Sequence, residues 1–167
     1  MIFLGEAFEG EGGNAAHINL ILGPRAELGP AYALAAASPG PGHIPFLTVL
    51  KPNLPVKPFT LFVAKEVLRN EAHERMTWGP GQAGVAAGMT DALLKGALPP
   101  EARDEWVAIA LVWIDWNADD PEAVYANNRV ATATAAERAM EADWPAFHDL
   151  RAGLADVQNP FFTPAKA

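Results

Sequence analysis

The run Trp106 to Ile114, Trp-Val-Ala-Ile-Ala-Leu-Val-Trp-Ile, contains no charged side chain. It is far shorter than the roughly 20 residues of a membrane helix, and its density of apolar and β-branched residues makes it a strand buried in a sheet. Such a strand needs neighbouring strands and covering helices. A chain of 167 residues can supply both within one domain spanning residues 1–167.

Residues 2–8 and 16–22 are predicted strands joined by the turn-forming stretch Glu-Gly-Glu-Gly-Gly-Asn at 9–14, so the pair is read as a hairpin. Alternation in the second strand places His17, Asn19 and Ile21 on one face and Ile18, Leu20 and Leu22 on the other. Gly23 and Pro24 end it, and an Ala-rich helix is expected over 31–37, stopped by Ser-Pro-Gly-Pro-Gly at 38–42. Apolar runs follow at 44–50 and 59–68, and the prolines at 52, 55 and 58 between them predict a rigid crossover loop. Leu61, Val63, Lys65 and Val67 share a face of the second run. Gly79-Pro80-Gly81-Gln82 is read as opening a helix that shows Val85, Met89 and Leu93 at helical spacing, with free backbone N–H groups beside Gln82. A turn at 115–120 precedes a long Ala-rich helix from Pro121 to Met140, with Asp119, Asp120 and Glu122 suited to its amino-terminal end. The tail from Asp143 has aromatic and proline punctuation without clear periodicity. The whole reads as α+β, with a four- or five-stranded sheet and two or three covering helices.

Composition narrows the chemistry. There is no cysteine, hence no disulfide, thiolate nucleophile, iron-sulfur cluster or cysteine-bound zinc. Ser38 is the only serine, and its Ser-Pro-Gly setting is not the strand-turn-helix elbow of a serine hydrolase. The formal net charge is -8, with the acid concentrated after residue 100 and no basic run, so nucleic acid is not an expected partner. The start Met-Ile-Phe-Leu-Gly-Glu lacks the basic segment of a signal peptide, and no apolar run reaches membrane length, which together suggest a soluble cytoplasmic protein. No metal is expected, because no histidine pairs with another histidine or a carboxylate at ligand spacing, and His73 falls in a polar segment read as exposed. Walker and Gly-x-Gly-x-x-Gly loops are also missing.

His17 is the most informative histidine. It shares a strand face with Asn19 beside a glycine-rich turn, and it is either a histidine bonded to a neighbour or part of a small-molecule site. Lys65, on an apolar strand face, either snorkels to the rim or meets a ligand. Gln82 is a solvated first-turn residue or a ligand contact. Trp106, Trp113 and Trp116 suit sheet core or an interface, and the acids at 115–122 suit a solvated turn and helix cap.

The segment Ala16-His17-Ile18-Asn19-Leu20-Ile21-Leu22-Gly23-Pro24-Arg25 resembles the Ala-His-Ile-Asp-Leu-Ile-Ile-Gly-Pro motif of formaldehyde-activating enzymes. Pro52-Asn53-Leu54-Pro55 with Lys57-Pro58 and Thr60-Leu61 resembles the same family, as does Gly79-Pro80-Gly81-Gln82-Ala83, where the family has Gly-Pro-Ala-Gln. Gly5-Glu6-Ala7, Asp119-Asp120, Ala131-Thr132, Arg138-Ala139-Met140 and Pro160-Phe161 extend the likeness along nearly the whole chain. The resemblance implies a fold like domain 2 of ribosomal protein S5, with a mostly antiparallel sheet covered by helices. It also implies a homopentamer with sites between subunits. The implied reaction condenses formaldehyde with tetrahydromethanopterin, a co-substrate rather than a tightly bound cofactor, giving the methylene adduct and water. His17 would be the proton donor, and the pterin contacts would fall on Asn19, Leu47, Lys65, Val67 and Gln82. Two of these depart from the family, which has Asp in place of Asn19 and Thr in place of Val67.

The implied chemistry suits a histidine. A pterin amine adds to formaldehyde to give a carbinolamine, whose hydroxyl must leave as water before the second nitrogen closes the ring. Histidine, with a reference pKa of about 6.5, can give and recover a proton near neutrality. Positioning of the two amines and one carbon supplies the rest. Two other classes of reading stand beside this one: a noncatalytic protein that binds or senses formaldehyde or a pterin, and an enzyme in which Lys65 captures an aldehyde as a Schiff base.

Overall fold

A computed structural model of the protein describes residues 1–38, 40–141 and 165. The predicted tail from Asp143, including the Pro160-Phe161 match, lies outside the described residues but for Ala165. The strands are β1 (Phe3–Glu9), β2 (Ala16–Pro24), β3 (Phe46–Leu47), β4 (Val49–Lys51), β5 (Leu54–Pro55), β6 (Phe59–Ala64) and β7 (Trp106–Trp113). The helices are α1 (Arg25–Ala37), α2 (Glu71–Met76), α3 (Gln82–Leu94), α4 (Ala102–Glu105) and α5 (Pro121–Glu141).

The apolar run beginning at Trp106 becomes β7, the middle strand of a five-stranded sheet ordered β1-β2-β7-β6-β3. β1 with β2, β2 with β7, and β6 with β3 pair antiparallel, while β6 and β7 run parallel. The parallel pair follows from the connection, because the chain between these strands passes through α2, α3 and α4 before returning. The sheet is therefore mixed and mostly antiparallel.

One face of the sheet packs on α3 and α5. Ile18, Leu20 and Leu22 of β2, Ala108, Ala110 and Val112 of β7, and Phe62 of β6 meet Val85 and Met89 of α3 and the alanines of α5. Small residues set this spacing. A Cβ added at Gly84 would lie 2.5 Å from the Tyr125 carbonyl oxygen, and one at Gly88 would lie 2.3 Å from that of Arg129. On the opposite, outer face, Leu28, Tyr32 and Ala35 of α1 cluster with Ile21, Phe59, Val63, Val107, Ile109 and Leu111. Asn14, at the hairpin turn, ties β1 and β2 to the start of α5. Its carbonyl oxygen Oδ1 accepts from the N–H groups of Asp119 at 3.0 Å and Asp120 at 3.1 Å. Asp120 in turn caps α5 by accepting from the N–H groups of Glu122 and Ala123, the cap expected from sequence.

Four local expectations are corrected. Helix α1 begins at Arg25 rather than 31, although Pro30 lies inside it. Proline's fixed φ suits a helix, and Pro30 and Ala26, the residue whose carbonyl its missing N–H would have met, are both exposed. The loop between the apolar runs contains strand β5, paired with β4 across a turn in which Asn53 has φ 63°. α3 does not begin afresh, because α2 continues through a wide helical turn at Thr77–Gly81 directly into Gln82. The Gln82 N–H therefore donates to the carbonyl of Thr77 rather than standing free. His73, expected to be exposed, is 2% exposed and its Nε2 donates to the Ile114 carbonyl at 3.0 Å. Asn70 starts this helical stretch, and its side chain accepts from the His73 N–H. Among the described residues, no helix is long and apolar enough to cross a membrane.

Gly88→Ala tests the close approach of α3 and α5. Alanine is intrinsically the better helix former by about 1 kcal/mol, yet the variant is expected to lose about 1–3 kcal/mol of stability as its methyl meets backbone. Urea denaturation measures the sign directly. A neutral or more stable variant would show that the two helices separate without cost.

Candidate active site

The outer face also carries the charged side chains Glu6, His17 and Lys65. Hairpin register sets Glu6 opposite Asn19 and Phe8 opposite His17. Across the other edge of β2, His17 pairs with Trp113 and Asn19 with Leu111. Leu111 pairs in turn with Val63 of β6. Lys65 lies one residue past the end of β6, and its N–H still extends the ladder by donating to the Val112 carbonyl at 2.8 Å. Two short rows result, Glu6-Asn19-Leu111-Val63 and Phe8-His17-Trp113-Lys65, because directly opposed residues share a face.

Within these rows, His17 Nε2 lies 2.5 Å from Oε1 of Glu6. Lys65 Nζ lies 3.3 Å from His17 Nδ1 and 3.4 Å from the His17 carbonyl oxygen. An ammonium group only donates, so Nδ1 is the acceptor and the neutral imidazole carries its proton on Nε2, facing the carboxylate. The His17 side chain is 15% exposed and that of Glu6 52%. Glu6 is held below the usual carboxylate range, chiefly by its hydrogen bond with His17; burial opposes this, while the His17 ring when protonated, the Asn19 amide and the Lys65 charge add smaller effects in the same direction as the bond. Lys65 is pushed down to about 8 by burial, which the nearby Glu6 charge only partly offsets.

A recess of about 400 Å³ opens beside Glu6 and Asn19, walled by Leu4, Ile21 and Leu111. A second, of about 320 Å³, is lined by Ile44, Phe46, Leu47, Val49, Trp78 and Gln82. Phe46 stacks on Phe62 with ring centroids 4.7 Å apart. Gln82 Oε1 accepts from the Val49 N–H at 2.8 Å, which fixes the carboxamide as the polar end of an otherwise apolar recess.

The predicted residues thus fall into separate groups. His17, Asn19 and Lys65 come together, Leu47 and Gln82 come together in the second recess, and exposed Val67 packs against the turn glycine Gly42. Trp106 is buried core stacked on Phe3, whereas Trp116 is partly exposed beneath the Arg69 guanidinium. Among the described residues, no group of three or more His, Cys, Asp or Glu gathers to hold a metal ion.

Glu6 is the residue that sequence reasoning missed. Position 19 supplies an amide, and the carboxylate beside His17 comes from Glu6 on β1. Only the hairpin register could have revealed it. Asn19 supports that carboxylate as a hydrogen-bond donor, so Asn19→Asp would set two carboxylates face to face. Such a pair holds a proton to higher pH than a single paired carboxylate. Titration followed by carboxyl-carbon NMR is expected to show a higher protonation midpoint in Asn19→Asp than in the parent, and an unchanged midpoint would mean the two side chains turn apart.

The family model described as formaldehyde-activating enzyme (Fae) matches residues 4–162. The chain is 39% identical over 159 residues to 5,6,7,8-tetrahydromethanopterin hydro-lyase of Methanosarcina barkeri, covering 95% of this chain and 89% of that protein. It is 40% identical over 139 residues to the bifunctional enzyme Fae/Hps of Archaeoglobus fulgidus, covering 83% of this chain and 35% of that one. The bifunctional enzyme Fae/Hps of Methanothrix thermoacetophila is 39% identical over 142 residues, with 84% and 36% covered. The chain therefore spans about a third of the length of the bifunctional relatives and most of the length of the hydro-lyase. Likeness over this much of the sequence makes the chain a member of the formaldehyde-activating enzyme family.

Proposed function

We propose that this protein condenses formaldehyde with tetrahydromethanopterin to give the methylene adduct and water, and that its reactive centre is His17 together with Glu6 and Lys65. The observation that carries the reading is the imidazole held between a carboxylate at 2.5 Å and an amine at 3.3 Å on the outer face of the sheet. This is proton-transfer machinery, and dehydration of the carbinolamine is the step that needs it. Asn19 and Lys65 would contact the pterin around this centre, with Leu47, Val67 and Gln82 as the remaining contacts.

The same placement favours proton chemistry over capture of an aldehyde on Lys65. A nucleophilic amine needs a free lone pair, whereas Nζ is positioned to donate to the ring and the carbonyl of His17. The pterin acts as a co-substrate that comes and goes, with no tightly bound cofactor. The acidic charge disfavours nucleic acid, membrane association is not part of the reading, and a cytoplasmic location is consistent with the absence of cysteine.

A symmetric homo-oligomer, a pentamer by family resemblance, completes the proposal. Ile44, Leu47 and Trp78, which line the second recess, are exposed, Trp78 at 51%, and so are Leu50 of β4 and Leu54 of β5. Aliphatic and aromatic exposure of this extent marks an interaction surface. A neighbouring copy that brought its Leu47 and Gln82 to the His17 centre would unite the two groups of contacts that one chain keeps apart.

The decisive assay compares the rate of formaldehyde consumption with tetrahydromethanopterin in the presence of the protein against the spontaneous rate. A clear acceleration is expected. A rate equal to the spontaneous one would leave a noncatalytic binding or sensing protein as the account. His17→Ala is expected to lower kcat about 100-fold or more while the fold persists, and a folded variant with the parent rate would remove His17 from the mechanism. Light scattering at micromolar concentration is expected to give an oligomer that Leu50→Glu disperses. A monomeric parent would overturn the shared site.

A further inference from the structure

We propose that the proton that expels the carbinolamine hydroxyl comes from Nζ of Lys65, with His17 as the positioning and relay group behind it, an assignment that rests on the condensation reading above. Both ring nitrogens of His17 are committed within the chain, Nε2 to Glu6 at 2.5 Å and Nδ1 to Lys65 at 3.3 Å. The ring also lies deep in its row, with a side chain 15% exposed. To touch the leaving hydroxyl, His17 would have to give up one of these partners. Lys65 does not face that choice. Its ammonium has three N–H bonds, of which one points to Nδ1 and one to the His17 carbonyl oxygen, so among the described residues two of the three have partners and the third can meet a substrate.

The surroundings suit an acid that works near neutrality. Among the described residues, Glu6 from β1 and His17 from β2 are the titratable groups that face Lys65, while β7 and β6 present Leu111, Trp113 and Val63 along the same rows. Burial pushes the lysine down to about 8. Such an amine is mostly charged at pH 7 and yields its proton far more readily than a solvated lysine.

The step balances. Nζ–H transfers its proton to the carbinolamine hydroxyl, the C–O bond breaks, and water leaves. The lone pair of the first pterin nitrogen forms the C=N bond of an iminium ion, and Lys65 becomes a neutral amine. The second pterin nitrogen then attacks the same carbon, forming the second C–N bond, and sheds its own proton. Lys65 recovers one proton, either directly or from Nδ1 of a His17 imidazolium stabilised by Glu6. No proton is gained or lost over the cycle beyond those in the water formed.

The test uses the full chain with formaldehyde and tetrahydromethanopterin across a pH series. A parent rate no faster than the spontaneous one defeats the condensation reading itself, before any variant is compared. With an active parent, Lys65→Arg keeps the positive charge but holds its proton, and kcat at pH 7 is expected to fall about 100-fold with KM little changed. Because the chain has no cysteine, Lys65→Cys can be alkylated at that one position to an aminoethyl side chain, an amine less basic than lysine. Aminoethylation is expected to restore turnover and to move the alkaline limb of the kcat profile to lower pH than in the parent. Recovery also separates loss of the amine from loss of the fold. A Lys65→Arg variant with parental kcat, or an alkaline limb that stays in place after aminoethylation, would overturn the assignment and return the donor role to His17.

Discussion

The pairing of β7 with both β2 and β6 is the constraint on which the site depends. One register holds Trp113 opposite His17 and Leu111 opposite Asn19, and the other holds Leu111 opposite Val63. A strand buried on one face by helices and flanked on both edges by partners has little freedom to slip, since a shift of one residue would turn Ala108, Ala110 and Val112 out of the core. That rigidity places Lys65 and His17, 48 positions apart in sequence, at hydrogen-bond distance. Neither side chain is held by its own loop. Both take their positions from the central strand.

Uneven cover gives the arrangement its use. The helical face is closed by α3 and α5 at a distance set by glycine and alanine, while on the other side α1 packs over Ile21, Phe59, Val63, Val107, Ile109 and Leu111. Half-buried Leu111, Val63 and Trp113 form the floor beneath the charged groups, Leu111 and Val63 as members of the α1 cluster. Charged groups on such a floor lose part of their hydration without being sealed from substrate, which is the condition under which lysine basicity falls and carboxylate partners matter.

Much of this was legible from local pattern. The run at 106–114, the hairpin around 9–14, the face shared by His17 and Asn19, and the long helix after Pro121 all rest on periodicity or turn chemistry, and each is present. Two helix starts were not. Pro30 lies inside α1, which starts well before the Ala-rich run expected over 31–37, and Pro80 lies within a wide helical turn rather than at a fresh helix start. Glu6 was invisible for a different reason: β1 alternates Leu4, Glu6 and Phe8 with Phe3, Gly5 and Ala7, so neither face declares itself by hydrophobicity. Its relation to His17 is a property of register, which composition does not encode.

The departure at position 19 acquires a physical sense within the cluster. Glu6 and Lys65 carry opposite charges with the His17 ring between them, and a neutral partner opposite Glu6 adds no further charge to the group. The Asn19 amide strengthens the ionised carboxylate by donation and adds no charge to a partly desolvated floor. Aspartate there would compete with Glu6 for the same proton and for the same donors. The amide thus keeps the carboxylate ionised, the carboxylate keeps the imidazole proton on Nε2, and the imidazole in turn keeps Nδ1 open to the ammonium. Each member fixes the protonation state of the next, so a substitution that appears to remove a catalytic charge instead settles where the remaining charges lie.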